Sequence, residues 1–173
     1  MSTMRTRKVW FMDVDGVMAP FNKGGAFKDW KQSPHELYEL WLSPTQAEII
    51  RSVLDETGTE LIWVTTWADE VAEYVEDFLG WPHHRFAPVP EPDLAGGDKG
   101  PSGRWWKLDA VAEFVDDLQP ERFVWSDDDH RIHERAVTRW LQEIDSTPLM
   151  QSPKPLVGLS ERWLREAFEH LRD

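Results

Sequence analysis

Apolar residues along this chain form two kinds of pattern, which alternate along its length. Short unbroken apolar runs are typical of strands buried on both faces of a parallel sheet. These runs predict strands at about residues 8–13, 60–66, 85–89, 122–126 and 147–150. Apolar positions three or four residues apart predict helices. These helices are expected over residues 45–56, 68–79, 106–118, 134–144 and 161–172. Strands that alternate with helices indicate an α/β fold built from βαβ units.

The stretch between the first strand and the first long helix has no such pattern. Residues 17–43 are rich in Gly, Lys, Pro and aromatic residues, with a short helical piece predicted at 34–41. The Gly24-Gly25 pair favours a flexible backbone at this point. We therefore expect residues 17–43 to be a flap-like insertion in a single domain that spans residues 1–173.

Polar residues follow three of the predicted strands. They are Asp13 and Asp15, then Thr65 and Thr66, then Asp127, Asp128 and Asp129. Because the carboxyl ends of parallel strands lie at one edge of a sheet, these side chains are expected to meet. Crowded carboxylates repel one another, and hard oxygen ligands favour Mg²⁺ as the balancing cation. A plain turn is the alternative interpretation of the Asp13–Gly16 segment.

Composition limits the functions that this edge can serve. The net charge of −13 disfavours broad, nonspecific binding to nucleic acid, although it leaves room for a local basic patch. The candidate basic residues are Lys23, Lys28 and Lys31, and also Arg104 and Lys107 on either side of two tryptophans. The chain has no cysteine, which excludes a disulfide-linked partner, and no apolar stretch long enough to span a membrane. Residues 1–8 lack the apolar segment of a signal peptide, so we expect a cytoplasmic location.

Four short motifs, in this order along the chain, resemble those of the haloacid dehalogenase (HAD) superfamily. The first, second and fourth motifs correspond to Asp13–Gly16, Leu61–Thr65 and Phe123–Asp128. The third motif is a lysine before a helix, for which Lys107 fits best and Lys99 is the competitor. The resemblance implies a three-layer Rossmann-like fold, with a mostly parallel central sheet, helices on both faces and no separate cap domain. It also implies phosphoryl transfer.

The resemblance gives each motif residue a role. Asp13 is implied to be the nucleophile that forms an aspartyl phosphate, and Asp15 to be the general acid and then the base. Thr65 is implied to hydrogen-bond a phosphoryl oxygen, and Lys107 to neutralise charge on the phosphate. The implied Mg²⁺ ligands are Asp13, Asp15 through its carbonyl group, Asp127 and Asp128. The candidates for binding phosphate or substrate are Thr66, Gly16 and Trp67.

Simpler roles stay open for several polar and aromatic residues. Thr66 is also a candidate N-cap for the helix predicted over 68–79, and Asp129 is expected to cap the helix after it rather than bind metal. We expect His130 and His133 at the surface. At least one of the tryptophans that could stack on bases is expected in the core instead; they are Trp67, Trp105 and Trp106.

A second, looser resemblance is to the HAD domains of phage and bacterial RNA-repair proteins. It rests on the segments Asp13–Pro20, Trp63–Trp67, Trp106-Lys107, Trp125–Asp129 and Gly158–Ser160. This resemblance implies a phosphatase for nucleic-acid ends, for example for a 3′-phosphate. Its site would be open, because neither insertion point is long enough for a cap domain. Small phosphomonoesters, including nucleotides, are the alternative substrates, and a catalytically idle HAD-like binding module is the alternative of another class.

Overall fold

The central sheet has five strands, and all four neighbouring pairs are parallel. The computed structural model describes residues 7–91 and 98–172, in which two further short strands form a separate antiparallel pair. The strands are β1 (Lys8–Met12), β2 (Lys31–Gln32), β3 (Trp41–Leu42), β4 (Glu60–Trp63), β5 (Arg85–Phe86), β6 (Arg122–Ser126) and β7 (Thr147–Gln151). The order across the main sheet is β5-β4-β1-β6-β7, which places β1 at its centre. The predicted parallel α/β sheet is confirmed.

Four α-helices cover this sheet in two layers. They are α1 (Pro44–Thr57), α2 (Trp106–Leu118), α3 (Glu134–Leu141) and α4 (Glu161–Leu171). Successive residues of β1 point to opposite faces of the sheet. Trp10 belongs to the apolar cluster that includes α1 and α4, whereas Phe11 belongs to the cluster that includes α2 and α3. Because both faces of β1 are buried, its sequence is an unbroken apolar run, and the predicted three-layer fold is confirmed.

Helix α1 begins at a cap that the insertion before it completes. Ser43 Oγ accepts a hydrogen bond from the backbone of the first turn at 3.1 Å, and Pro44 takes the first helical position. The Asp29 carboxylate accepts hydrogen bonds from Ser43 Oγ, and from Thr45 N and Oγ1 at 2.8 and 2.7 Å. Burial alone would raise the pKa of Asp29, but the hydrogen bonds from Ser43 and Thr45 outweigh burial and lower it.

The insertion between β1 and α1 holds only β2 and β3, without any other helix or strand. The prediction of a short helical piece at 34–41 is wrong, because the chain bends there and then enters β3. His35 Nδ1 accepts hydrogen bonds from the backbone N of Leu37 and Tyr38, each at 3.1 Å, and so replaces the helical acceptors. Leu40 is buried in the core and anchors the insertion to the domain. Movement of residues 17–43 as a flap stays a prediction.

The segment after β4 differs from its predicted α-helix over 68–79. Residues 66–69 form turns, helical structure covers residues 70–79, and its middle part, Ala72–Asp77, is a π-helix. This wider helical turn contains Glu76, whose side chain is fully buried. Glu76 Oε1 accepts a hydrogen bond from Trp63 Nε1 at 2.7 Å. The spacing of the apolar residues did not indicate that this helix is wider than an α-helix.

The remaining predicted elements are present with small differences at their ends. Helix α3 stops at Leu141, and β5 has only two residues. Positions 92–97, between β5 and α2, lie outside the described residues. Among the described residues, no helix is both long and apolar enough to cross a membrane.

Candidate active site

The residues that follow β1, β4 and β6 meet at one edge of the sheet. Asp13 N donates a hydrogen bond to Ser126 O at 3.0 Å, and Val64 N donates one to Met12 O at 2.9 Å. These bonds hold the three chain segments side by side just beyond the strands. Asp13, Thr65 and Asp127 are buried there, and the Asp15 and Asp128 side chains are half-buried, at the same edge.

A buried lysine joins the ends of β1 and β6. Lys107, in the first turn of α2, donates hydrogen bonds from Nζ to Asp13 Oδ2 at 2.5 Å and to Asp127 Oδ2 at 2.8 Å. The competing candidate, Lys99, is exposed, and its backbone forms an isolated bridge with Trp105. Of the two lysines, the geometry brings Lys107 to the predicted acids.

Backbone groups fix the orientation of both acids that contact Lys107. Val14 N donates to Asp13 Oδ1 at 2.7 Å, and Asp129 N donates to Asp127 Oδ1 at 2.9 Å. The second bond makes Asp127 the N-cap of the short 3-10 helix Asp128–Arg131. The predicted capping role of Asp129 is wrong, because the extended backbone of an N-cap occurs two residues earlier, at Asp127, and the N-cap position of α3 is His133.

Negative charge exceeds positive charge in this cluster. Oxygen atoms of Asp13, Asp127 and Asp128 lie within 4.8 Å of one another. Burial and the charge of Asp13 raise the pKa of Asp127 well above its ordinary value. Burial, Asp13 and Asp129 raise the pKa of Asp128 to about 6. Burial opposes the charged form of Lys107, but the Asp13 and Asp127 carboxylates outweigh burial and raise its pKa.

This donor set fits a hard divalent cation such as Mg²⁺. Three carboxylates lie together, and the Lys107 ammonium group contacts two of them, Asp13 and Asp127. A divalent ion would offset the repulsion that otherwise favours protonation. Gly16 brings the carboxylates close to the backbone: it has φ of 70°, and a Cβ there would overlap the Asp128 carboxylate. The Asp15 carboxylate lies outside the cluster of three, and only its carbonyl group was implied as a ligand.

Asp15 has a different environment from the other acids. Trp67 Nε1 donates a hydrogen bond to Asp15 Oδ2 at 2.8 Å. Burial raises the pKa of Asp15, the Trp67 hydrogen bond partly reverses this, and Asp13 adds to the rise. A carboxyl group with a raised pKa is suited to donate a proton near neutral pH.

A cavity of about 510 Å³ opens beside Asp15. Six of the residues that line it are Asp15, Phe21, Tyr38, Glu39, Thr66 and Trp67. Thr66 is exposed to this cavity, and helical structure begins only at residue 70, so its alternative role as a helix N-cap is wrong. Phe21 and Tyr38, with exposed fractions of 61% and 63%, were not singled out by the sequence. They lie in the irregular insertion, where no periodicity indicates which side chains face a site.

The other two tryptophans that could stack on bases are in the core. Trp105 and Trp106 are 5% and 4% exposed. Trp105 lies parallel to Trp125, with ring centres 5.4 Å apart, and to His133, with ring centres 4.3 Å apart. Trp67, which is half-buried, is the tryptophan of this group that reaches the cavity.

Buried polar residues below the site were also not anticipated. His130 was expected at the surface, which is wrong: it packs against Trp125, and burial lowers its pKa to about 3. Ser126 Oγ accepts a hydrogen bond from Trp10 Nε1 at 2.9 Å and donates one to Gln151 Oε1 at 2.8 Å. These bonds connect β1, β6 and β7 directly beneath Asp127. The available signal was a serine and a glutamine at the ends of β6 and β7, each directly after apolar residues.

The family of the chain follows from a match over most of its length. A family model described as the HAD domain in Swiss Army Knife RNA repair proteins matches residues 9–162. The chain belongs to this family. This confirms both the HAD resemblance and the resemblance to HAD domains of RNA-repair proteins, and it identifies a HAD-type hydrolase domain.

Other comparisons add little. A solved structure from Legionella pneumophila, described as a HAD superfamily (subfamily III A) hydrolase, is 17% identical with a TM-score of 0.44. The alignment covers 97% of this chain and 84% of that one, but the similarity is too low to carry an argument. No curated protein matches the chain.

Proposed function

We propose that this protein is a Mg²⁺-dependent phosphomonoester hydrolase that acts through an aspartyl phosphate on nucleic-acid ends, for example a 3′-phosphate. The observation that carries this proposal is the contact of Lys107 with Asp13 and Asp127. This contact supports the proposal because it joins the ammonium group of Lys107 to Asp13, the proposed nucleophile, and Asp15, the proposed proton donor, lies two residues further along the chain.

In the first half of the reaction, a carboxylate oxygen of Asp13 attacks phosphorus in line. The bond from phosphorus to the leaving oxygen breaks, and the Asp15 carboxyl group gives that oxygen its proton. Lys107 and the Thr65 hydroxyl group stabilise charge on the phosphoryl oxygens. The bonds from Val14 N and Lys107 hold the Asp13 carboxylate in one orientation before substrate arrives.

In the second half, water attacks the phosphorus of the aspartyl phosphate. The Asp15 carboxylate accepts the proton of this water, and the bond from Asp13 to phosphorus breaks. Inorganic phosphate leaves, and both aspartates return to their starting forms. The side chains of Asp13, Asp127 and Asp128 and the carbonyl group of Asp15 would hold Mg²⁺, which supplies charge neutralisation at the phosphate when it is bound.

The cavity beside Asp15 supports a nucleoside leaving group. Exposed aromatic rings of Phe21 and Tyr38 and the half-buried ring of Trp67 border it, and each can stack on a base. Glu39 lines the same cavity, and its carboxylate disfavours further phosphate groups at that position. Membership in a family named for RNA repair points the same way.

A second candidate is a phosphatase for nucleotides or other small phosphomonoesters. The net charge of −13 favours it, because this charge opposes tight binding to a polyanion. The same cavity would then hold the base or another small leaving group.

Hydrolysis of an aryl phosphate, with and without Mg²⁺, tests the enzymatic proposal. We expect Mg²⁺-dependent turnover by the wild type and none by Asp13→Asn. Absence of turnover in the wild type, or equal turnover in the variant, would favour the idle binding module. A screen of 3′- and 5′-phosphorylated oligonucleotides, mononucleotides and sugar phosphates then separates the substrate classes. Rapid turnover of a small metabolite with untouched oligonucleotide ends would contradict the repair substrate.

A further inference from the structure

A groove with a basic lining runs along one face of α3. Its volume is about 800 Å³, and its lining includes Arg104, Arg135 and Arg139, with Glu143 as an acidic residue in the same lining. All three arginines are exposed. Positive charge thus outnumbers negative charge locally on a chain whose net charge is −13.

Two of these guanidinium groups are available to a ligand. Arg104 is held by Asp109, with Nη2 at 2.9 Å from Oδ1. In the part of the chain that the structure describes, no carboxylate lies within ion-pair distance of Arg135 or Arg139. These two residues are four positions apart on α3, which separates them by about 6 Å along the helix axis.

The groove adjoins the candidate active site across a single indole ring. His133 lines the groove, and its ring centre is 4.3 Å from that of Trp105. Lys107 Nζ is 5.8 Å from the centre of the same Trp105 ring. The groove lies on the α2 and α3 side of the sheet, whereas Trp67 of the Asp15 cavity packs on the α1 and α4 side.

We propose that this arginine groove binds the phosphodiester backbone of the nucleic-acid strand whose end enters the active site. The inference rests on the proposed function and adds a second contact between protein and strand, outside the active site. Because groove and cavity lie on opposite sides of the sheet edge, the groove would contact phosphates other than the terminal phosphate. The contact between the arginines and the phosphates is local. Salt screens the acidic side chains that lie further away on the surface, so the negative net charge of the chain does not prevent binding of a strand in this groove.

The test compares Arg135→Gln/Arg139→Gln with the wild type on 3′-phosphorylated single-stranded RNA of two, four, eight and twelve nucleotides. The matched control is Arg51→Gln, an exposed arginine on α1, on the opposite side of the sheet. We expect the double variant to raise KM for the 12-mer about tenfold, through two exposed phosphate contacts, with a smaller effect on kcat. The rise should increase with length, and the control should match the wild type. A KM for the 12-mer equal to that of the wild type would overturn the proposal.

Binding of a 12-mer with a free 3′-hydroxyl group, measured by fluorescence anisotropy, distinguishes strand binding in the groove from hydrolysis at the active site, because this RNA has no terminal phosphate to be removed. Loss of two phosphate contacts should reduce the slope of log affinity against log salt by about 1.4. If the wild type hydrolyses aryl phosphate but no oligonucleotide, the repair substrate fails, while a reduced slope in the double variant still supports the groove. An unchanged slope, or competition by polyglutamate as strong as that by unlabelled RNA, would overturn the nucleic-acid assignment.

Discussion

Replacement of Lys107 with Met removes the ammonium group that contacts Asp13 and Asp127 and keeps a similar side-chain length. The three side chains are 6%, 7% and 0% exposed, so water cannot replace the lost partner. Loss of one member of a buried ion pair costs about 3–5 kcal/mol, because the remaining charge is uncompensated. We expect a loss of this size in the free energy of unfolding at pH 8.

The loss should also depend on pH in a defined direction. Lys107 lowers the pKa values of Asp127 and Asp128 in the folded protein, so these two values rise further above their ordinary range when Lys107 is removed. The folded protein then binds more protons than the unfolded chain, and its stability increases as the pH falls. The difference between variant and wild type should therefore be greatest at pH 8 and smallest near pH 5.

Urea unfolding at pH 5, 7 and 8, followed by tryptophan fluorescence without Mg²⁺, measures this difference. The exposed Lys28→Met serves as the control for loss of a lysine. Hydrolysis of an aryl phosphate by Lys107→Met should fall about 10²–10³-fold, since a preorganised charged donor is lost. Equal stability of variant and wild type at pH 8, or a loss that does not shrink towards pH 5, would refute the electrostatic reasoning.

Three further substitutions address other contacts. Trp67→Phe keeps an aromatic ring but removes the hydrogen bond that lowers the pKa of Asp15. The decline of aryl-phosphate hydrolysis on the alkaline side should therefore move to higher pH. An unchanged pH profile would argue against Asp15 as proton donor. Gly16→Ala strains a backbone with φ of 70° and displaces the Asp128 carboxylate. Thermal unfolding should show a loss of about 1–3 kcal/mol in the free energy of unfolding, and titration with Mg²⁺ should show a weaker response of activity. Full stability and activity would contradict this account. Asp29→Ala should cost about 1 kcal/mol at pH 7, because it removes part of the α1 cap. Since the pKa of Asp29 is lowered, this contribution is present above its unfolded-state pKa and is lost as the pH falls through the folded-state value. The difference from the wild type in urea unfolding should therefore shrink as the pH is lowered below the unfolded-state pKa, and a difference that stays constant would contradict the charged cap.

The sheet and the acidic edge were predictable because both depend on local patterns. Strands buried on both faces are apolar along their buried length, so the end of each strand is marked by the first polar residue, as at Asp13 after β1 and at Ser126, the last residue of β6. Parallel pairing then brings these ends together without further information. The preference for Lys107 over Lys99 followed from its position before a predicted helix, which the third motif of the resemblance requires, and the structure brings Lys107 into contact with Asp13 and Asp127.

The features that escaped prediction depend on contacts between distant segments. The π-helix accompanies a hydrogen bond from Trp63 to the buried Glu76, and apolar spacing does not distinguish hydrogen bonds between residues four apart from those between residues five apart. The bend near residue 35 depends on a histidine side chain that accepts backbone hydrogen bonds. Arg135 and Arg139 look like the solvent side of an ordinary amphipathic helix until the groove beside them is seen.

The contact between Lys107 and Asp13 joins positions that are 94 residues apart in the chain. A fragment that lacks either β1 or α2 lacks one of these two groups, so the site comes into being only when the domain is assembled. A ligand that binds there binds the folded protein and not the unfolded chain, and its binding free energy is added to the stability of the whole domain. The protein without its substrate is consequently the form most exposed to unfolding and proteolysis.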